Sequence, residues 1–566
     1  MTGWSRPRQT RLLCGAFLLQ TLVLLYGCSP VATLHPAAIA SAHPLATQAG
    51  LEILEAGGNA FDAAVAVSAA LAVVEPYGSG IGGGGFWLLH RVRDGFQVMI
   101  DGRERAPLAA TRDMYLDEAG NVVPDLSVNG ALAAGIPGEP AALVHIANRY
   151  GQLPLARSLA PAIRLARTGF TVDAHYRRLA GFRLAALQAD PTAAGIFLEA
   201  GEVPAEGKRI IQTDLAETLD AIARRGHHGF YADEVARRLV EGVTAAGGIW
   251  TLKDLQEYSV VERKPVSGKY HGFTITSAAP PSSGGIALMT MLNILSAYDL
   301  SAMNKPERAH LIVEAMRRAY RDRAEFLGDA DFIEVPVHRL TSKAYARILS
   351  ESIRPDRATP SESFSVPAAS EGGASTTHFS VLDTEGNRVA ATLSINYPFG
   401  AAVVPPGTGV LLNDEMDDFS VKPGVPNVYG LVGAEANAIA PGKRPLSSMS
   451  PTFVENGQGV AILGTPGGSR IITMVLLGIL DLAEGNGPES WVSLPRFHHQ
   501  YLPDTLQYEV DAFDQAALQA LAAKGHRLKP HQSTWGNMQA IYLDRATGKV
   551  TAVSDPRVNG LAVVTD

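Results

Sequence analysis

The stretch that decides the fold is GGASTTHFSVLD, residues 372–383. A loop of small residues runs into a segment in which polar and apolar side chains alternate, which is typical of a β-strand. The next residues, 384–386 (TEG), have the length and the final glycine of a three-residue hairpin loop. We therefore predict a hairpin in which Asp383 pairs with Asn387.

This hairpin register places Thr376 opposite Ser394 on the returning strand. Directly opposed residues share one face of a sheet, and Asn396 lies one pleat further along the same face. A hydroxyl at a junction between loop and strand thus gains two polar neighbours, which favours a functional site. The alternative interpretation is an ordinary surface hairpin.

A second stretch, GTPGGSR at residues 464–470, lies between a predicted strand over 459–463 and a predicted helix over 471–483. Consecutive glycine N–H groups before a helix bind anions. In acyl transfer, such donors suit an oxyanion hole. A phosphate-binding loop would need a Gly-Lys-Ser/Thr sequence that this stretch lacks.

A third stretch, NDEMDDF at residues 413–419, packs four acids into five residues. The functional interpretation is a pocket for the ammonium group of a substrate. The alternative is a solvated acidic loop.

Composition excludes several classes of protein. The 566 residues include 48 Lys+Arg and 56 Asp+Glu, a net charge of −8, with 46% hydrophobic and 18% charged residues. That balance excludes a disordered chain, which is poor in apolar residues. It also argues against a nucleic-acid binder, which needs a basic surface.

No cofactor or metal is predicted. Residues 78–83 match G-x-G-x-x-G, but the predicted order is helix, glycines, strand, whereas a dinucleotide site needs strand, glycines, helix. Close backbone packing or a flexible wall of a site is the favoured interpretation. His498 and His499 are adjacent, so their side chains point to opposite faces of a strand, and no acid or cysteine completes a ligand set.

The N-terminus indicates export. Arg6, Arg8 and Arg11 precede an apolar run over 12–26 and then Cys28. The run is too short for a comfortable membrane-spanning helix, which needs about 20 residues. We predict a signal peptide over 1–27 of the bacterial lipoprotein type, with lipid attached to Cys28 and the protein periplasmic or anchored to the outer membrane. The alternative is a plain secretory signal cut a few residues later.

Hydrophobic patterning predicts the remaining elements. Helices are expected over 45–56, 62–74 and 514–523, with mainly helical structure over 139–245 and 285–356. Strands are expected over 86–90, 97–101, 376–383 and 388–396, and a polar loop over 357–375.

Several of these stretches together resemble γ-glutamyltransferases. The resemblance runs from about residue 35 to the end, and its motifs follow the order of the family. They are GNAFDAAVA (58–66), DGRERAP (101–107), TTHFS (376–380), GVPNVYG (424–430), KRPLSSMSP (443–451) and PGGSR (466–470).

The resemblance implies an N-terminal-nucleophile hydrolase with an α+β fold, a four-layer αββα sandwich. It implies self-cleavage between Ser375 and Thr376, so that a large chain, 28–375, and a small chain, 376–566, stay together as a heterodimer. Thr376 would be the nucleophile, and its freed α-amine the general base.

The resemblance also implies the other roles in the site. Ser394 supplies a hydroxyl where many bacterial relatives have Thr. Gly467 and Gly468 would hold the oxyanion. The substrate α-carboxylate would bind Arg103, Ser447 and Ser448, and its α-ammonium Asn396, Glu415 and Asp418. Residues 424–441 resemble the family's lid loop, with Tyr429 as the gate.

The implied activity is transfer of a γ-glutamyl group from glutathione and related compounds to water or to an amino acid or peptide acceptor. One alternative is a poly-γ-glutamate depolymerase or a cephalosporin-type acylase on the same fold. A polymer needs an open groove, which a lid over 424–441 argues against. Another is a non-catalytic, lipid-anchored binding protein, which would need no Thr at the junction.

Overall fold

The computed structural model describes residues 35–361 and 376–566. The predicted signal peptide over 1–27, Cys28 and Ser375 lie outside the described residues. Lipid attachment and the position of the cut therefore stay predictions, and so do the boundaries of the two chains.

Eighteen strands are present in the described part of the chain. They are β1 (Ala38–Ser41), β2 (Gly84–Arg91), β3 (Phe96–Gly102), β4 (Phe170–Thr171), β5 (Arg209–Ile210), β6 (Val261–Arg263), β7 (Val266–Tyr270), β8 (Phe273–Ser277), β9 (Thr377–Leu382), β10 (Arg388–Ser394), β11 (Thr452–Glu455), β12 (Gly459–Gly464), β13 (Phe497–His498), β14 (Leu506–Glu509), β15 (Leu528–His531), β16 (Gln539–Asp544), β17 (Val550–Ser554) and β18 (Leu561–Val564).

The helices of the same residues are α1 (Pro44–Glu55), α2 (Ala60–Val74), α3 (Glu139–Tyr150), α4 (Leu155–Thr168), α5 (Ala174–Phe182), α6 (Leu184–Ala189), α7 (Pro191–Phe197), α8 (Thr213–Arg225), α9 (His228–Tyr231), α10 (Asp233–Ala245), α11 (Leu252–Gln256), α12 (Gly284–Leu295), α13 (Lys305–Phe326), α14 (Val337–Leu340), α15 (Lys343–Glu351), α16 (Ile471–Ala483), α17 (Pro488–Ser493) and α18 (Gln515–Ala523). None of these helices has the length and hydropathy needed to cross a membrane.

The predicted hairpin forms with the predicted register. Strands β9 and β10 pair antiparallel, with Thr377 opposite Leu393. The Asp383 carboxylate accepts N–H bonds from Glu385, Gly386 and Asn387 at 2.9–3.0 Å, which fixes the turn. Gly386 has φ +98°, a conformation that glycine adopts without steric cost.

Two large sheets form the centre of the molecule. The first has seven strands in the order β18-β1-β9-β10-β2-β3-β6, and the second has six in the order β17-β16-β12-β11-β8-β7. Strands β9 and β10 of the first sheet pack against β12 of the second. The hairpin therefore lies inside the molecule, covered on both faces.

Helices cover the outer face of each sheet. Helix α2 packs on β9 and β10, and helices α12 and α16 pack on strands of the second sheet. The order is helices, sheet, sheet, helices, which confirms the predicted four-layer αββα sandwich.

Alternation along β9 sorts its side chains between the layers. Phe379 and Val381 belong to the core that includes α2. The side chain of Ser380 faces the second sheet, where it donates to the Gln539 carbonyl at 3.1 Å. Because the period of a strand is two, Thr376 shares the side of Ser380, between the sheets.

The glycine-rich stretch is explained by close backbone packing. A Cβ at Gly82 would lie 2.0 Å from the Leu411 carbonyl oxygen, and one at Gly83 would lie 2.2 Å from the Ser394 carbonyl oxygen. Neither position has room for a methyl group. The glycines let β2 start directly against the end of β10, next to the predicted site.

We expect Gly83→Ala to destabilise the protein by about 1–3 kcal/mol, since overpacking forces backbone shifts. Those shifts fall on Ser394, so self-cleavage should also slow. The measurement is the thermal midpoint together with the fraction of cleaved chain over time. Gly457→Ala is the matched control, because nothing lies within 4 Å of its added Cβ. Equal midpoints and cleavage rates for the two variants would contradict this explanation.

Candidate active site

A pocket with a volume of about 20 Å³ opens at the N-terminal end of β9. Its walls come from segments on both sides of residues 362–375. The predicted site residues that line it are Arg103, Thr376, Ser394, Asn396, Glu415, Asp418, Tyr429, Ser447, Ser448 and Gly468; Leu431, Met449, Ser469 and Ile471 complete the wall. Gly467 is not part of the lining, although it precedes Gly468.

The two hydroxyls of the hairpin meet as the register predicts. Thr376 Oγ1 and Ser394 Oγ are 3.4 Å apart. Ser394 Oγ also accepts the N–H of Asn396 at 2.8 Å. Asn396 has φ +71°, which turns the chain at the end of β10. The Asn396 side chain donates to the Asp414 carbonyl at 3.0 Å, so this turn is held in one geometry.

A buried acid lies on the opposite side of the same strand end. This acid is Glu75, the residue that directly follows α2. Thr377 Oγ1 donates a hydrogen bond to Glu75 Oε2 at 2.7 Å. Burial raises the pKa of Glu75 to about 7, and its hydrogen bond from Thr377 opposes that rise. The sequence did not single out Glu75, because a residue after a buried helix carries no signal of what it faces.

Arg103 is the centre of the charges in the pocket. Its guanidinium donates to Glu415 Oε2 at 2.6 Å and to Asp418 Oδ2 at 2.5 Å. A third acid, Glu104, has its Oε2 3.4 Å from Arg103 Nη1. Burial raises the pKa of Glu104 to about 8, against the pull of Arg103. Burial likewise raises the pKa of Glu415 well above its usual range.

The acidic stretch is not a solvated loop. Asp414, Glu415 and Asp417 are all buried. Asp414 accepts the N–H of Tyr397 at 2.9 Å, and Asp417 accepts the N–H of Val428 at 2.8 Å. Two of the four acids, Asp414 and Asp417, therefore hold backbone, while Glu415 and Asp418 face the pocket.

The two serines lie on a loop that is tied to the segment before α12. Ser447 N–H donates to the Pro281 carbonyl at 2.9 Å. The side chain of Ser283 donates to the Ser447 carbonyl at 2.7 Å. Ser448 Oγ accepts a hydrogen bond from Arg323 Nη2 at 3.3 Å. Ser447 Oγ accepts the N–H of Met449 at 3.1 Å, so the hydroxyl oxygens of both serines are held by hydrogen bonds within the protein.

Tyr429 covers the glycine corner of the pocket. Its hydroxyl donates to the Asn396 carbonyl at 2.6 Å. A Cβ at Gly468 would lie 2.7 Å from the Tyr429 ring, so the ring rests on the glycine backbone. Asn427 Oδ1 accepts the N–H groups of Tyr429 and Leu431 at 3.0 Å and fixes the turn that carries the ring.

The pocket is small for a substrate. Its volume of about 20 Å³ suits a single water molecule, which needs at least 10–15 Å³. Tyr429 forms part of its wall, and the gate role of this residue in a lid over 424–441 stays a prediction.

A threonine at the edge between two stacked antiparallel sheets, each covered by helices, is the arrangement of an N-terminal-nucleophile hydrolase. The chain belongs to the gamma-glutamyltranspeptidase family, whose model matches residues 46–565. This confirms the resemblance drawn from the motifs.

Curated relatives match more than nine tenths of the chain. It is 43% identical over 525 residues to the glutathione hydrolase proenzyme of Escherichia coli, covering 92% of this chain and 90% of the relative. It is 38% identical over 532 residues to the acylase ACY 1 proenzyme of a Pseudomonas species, covering 92% of each.

Solved structures agree with the fold. The cephalosporin acylase of Bacillus halodurans superposes with a TM-score of 0.82 at 27% identity, covering 99% of this chain and 98% of that one. The gamma-glutamyltranspeptidase of Helicobacter pylori superposes with a TM-score of 0.55 at 43% identity, covering 56% of this chain and 92% of that one.

We expect Asp418→Ala to lower kcat/KM for γ-glutamyl substrates by about 100-fold or more, because the substrate ammonium would lose a desolvated partner. Glutaryl substrates, which lack the amine, should lose much less. Turnover of a γ-glutamyl and a glutaryl anilide by the same preparation measures the difference. Equal losses for both would show that Asp418 does not bind the ammonium.

We expect Tyr429→Phe to keep most turnover, since the ring still rests on Gly468 and only the bond to Asn396 is lost. Tyr429→Ala should admit water and shift the balance from transfer to hydrolysis. The ratio of transfer product to free glutamate, measured with a dipeptide acceptor, checks this. An unchanged ratio in Tyr429→Ala would mean that residues 424–441 are not a lid.

Proposed function

We propose that this protein is a self-cleaving γ-glutamyltransferase and glutathione hydrolase. The observation that carries the proposal is the position of Thr376 Oγ1 in the pocket, 3.4 Å from the Ser394 hydroxyl and beside the charged cluster of Arg103. The names of the relatives support the activity.

The charged cluster suits the head group of an α-amino acid. Arg103 is paired with Glu415 and Asp418 in the pocket. A zwitterion brings one charge of each sign, so its carboxylate can take the guanidinium while its ammonium takes the two acids. Each buried charge then still has a partner of opposite sign. The pairing offsets the free-energy cost of removing the charged head group from water.

The chemistry is acyl transfer through an ester. Thr376 Oγ attacks the γ-carbonyl carbon, and its proton passes to the α-amine of the same residue. The C–N bond then breaks, and the leaving amine takes that proton. Water or an acceptor amine attacks the ester in the second half and frees Thr376. The N–H groups of Gly467 and Gly468 are the proposed oxyanion donors, in keeping with their place before α16.

Self-cleavage follows from the choice of base. An amide nitrogen cannot accept a proton as an amine does, so Thr376 must lose its peptide bond to Ser375 before turnover. Relatives that are named proenzymes support a processed precursor. The proposed products are 28–375 and 376–566, held together because both contribute strands to each large sheet.

The alternatives fit the pocket less well. An acylase whose acyl substrate lacked an amine would make no use of the two acids, Glu415 and Asp418, that line the pocket beside Arg103. A depolymerase needs an open groove, and the Tyr429 ring covers this one. A non-catalytic binding protein has no need for a threonine at the junction.

We further propose that the protein is exported and lipid-anchored. The support is the sequence alone: three arginines, an apolar run and then Cys28. This proposal is independent of the proposed reaction.

Purified protein should show two bands, with the smaller starting Thr376-Thr377-His378 on N-terminal sequencing. Thr376→Ala should remain one inactive chain, because neither the attack on Ser375 nor turnover is possible. Thr376→Ser should still cut, more slowly, since the hydroxyl is kept. Glutathione should be hydrolysed by the parent, and a dipeptide acceptor should divert the glutamyl group to a new product.

Thr377→Ser is the matched control for this series, because Thr377 faces Glu75 on the other side of the strand. It should cut and turn over at a rate close to that of the parent. A single uncut chain with full activity would contradict the mechanism and require a different nucleophile.

A further inference from the structure

Helix α13 presents a buried arginine to the serine loop of the pocket. Arg323 is only 4% exposed. Its Nε donates to Ser283 Oγ at 3.1 Å and its Nη2 donates to Ser448 Oγ at 3.3 Å. The sequence gives no sign of this contact, because Arg323 lies 125 residues from Ser448 in a long helical stretch.

The charge of Arg323 is compensated less well than that of the other arginines of α13. Arg308 pairs with Glu484, Arg317 and Arg318 pair with Glu314, and Arg321 pairs with Asp322. Among residues 35–361 and 376–566, no carboxylate forms an ion pair with Arg323. Burial lowers the pKa of Arg323, and the more distant Asp418 only partly opposes this. A buried cation without a paired anion is costly, unless an anion binds nearby.

The nearest anion that the pocket is built to receive is the substrate α-carboxylate. Ser448 lines the pocket directly, and Arg323 lies behind it. Because Arg323 donates to Ser448 Oγ, the serine hydroxyl keeps its own proton to donate to a ligand in the pocket. A carboxylate there would accept that proton and gain the field of a second guanidinium besides Arg103.

Arg323 also controls the backbone of the loop. Its partner Ser283 donates both its N–H and its hydroxyl to the Ser447 carbonyl, at 2.9 and 2.7 Å. One turn earlier on α13, the Tyr320 hydroxyl donates to the Ser469 carbonyl beside Gly468. One face of the helix therefore holds both loops that meet the substrate.

We propose that Arg323 is a positioning residue for the substrate α-carboxylate, acting through Ser448 and through its charge. It does not touch the substrate, and the proposal rests on the proposed function. Its consequence is specificity: Arg323 should favour substrates whose α-carboxyl group is ionised over those in which that group is neutral.

The test compares a γ-glutamyl anilide with its α-carboxamide analogue, which keeps the shape but loses the charge. Arg323→Gln should lower kcat/KM for the carboxylate by about 10- to 100-fold, chiefly through KM, as expected for loss of charge-assisted binding. The carboxamide should change by less than about threefold, because a neutral group gains little from the guanidinium. Arg323→Lys should recover part of the preference.

Arg318→Gln is the matched control, since it removes a buried guanidinium from the same helix that bonds to Glu314 and the Leu349 carbonyl instead. This variant should either lower kcat/KM for both substrates by the same factor or leave both values unchanged. If Arg323→Gln does not fold, Ser283→Ala keeps the guanidinium but removes its bond to Ser283 and the bond from Ser283 Oγ to the Ser447 carbonyl. It should show a smaller loss of kcat/KM that is confined to the carboxylate substrate.

Equal losses for the two substrates in the Arg323 variants, or no loss for either, would overturn the proposal. Failure of the parent to turn over any γ-glutamyl substrate would instead contradict the proposed function. In that case, calorimetric binding of glutamate against its α-amide would still decide the role of Arg323. A preference for glutamate that survives Arg323→Gln unchanged would refute it.

Discussion

The register of one hairpin is the constraint on which the rest of the site depends. A strand turns its side chains to alternate sides, so a shift of one residue between β9 and β10 would move Thr376 from the inter-sheet side to the side of α2. The Asp383 carboxylate, which collects three N–H groups in the turn, prevents that shift. The pocket is therefore specified by a turn at the far end of the strand from the nucleophile.

Around this hairpin, the pocket places three acids around one arginine, and a second guanidinium, that of Arg323, lies behind Ser448. Glu104, Glu415 and Asp418 surround Arg103, and burial raises the pKa of both glutamates. Such clusters are retained where binding chemistry requires them, since apolar residues would pack at lower cost. The arrangement thus favours a ligand that carries its own pair of charges.

The sequence predicted the hairpin and its register because turn chemistry and alternation are local. It also predicted that 464–470 joins a strand to a helix. The roles of Arg103 and Ser448 came from family resemblance, since no local pattern shows which distant segments meet. Arg323 and Glu75 were missed for that reason. Composition alone did not show that the Asp414 and Asp417 carboxylates accept backbone N–H groups. A run of acidic residues has the same composition whether it is solvated or buried.

The sheets themselves interleave the segments before and after residue 376. In the first sheet, β1 lies between β18 and β9, and β10 lies beside β2. Expressed separately, each part would expose unpaired strand edges that invite aggregation. Synthesis as one polypeptide supplies the two parts in equal amounts. Strands of both parts can then pair with each other while the chain is still continuous. The order of events is thus imposed by topology: assembly first, scission afterwards.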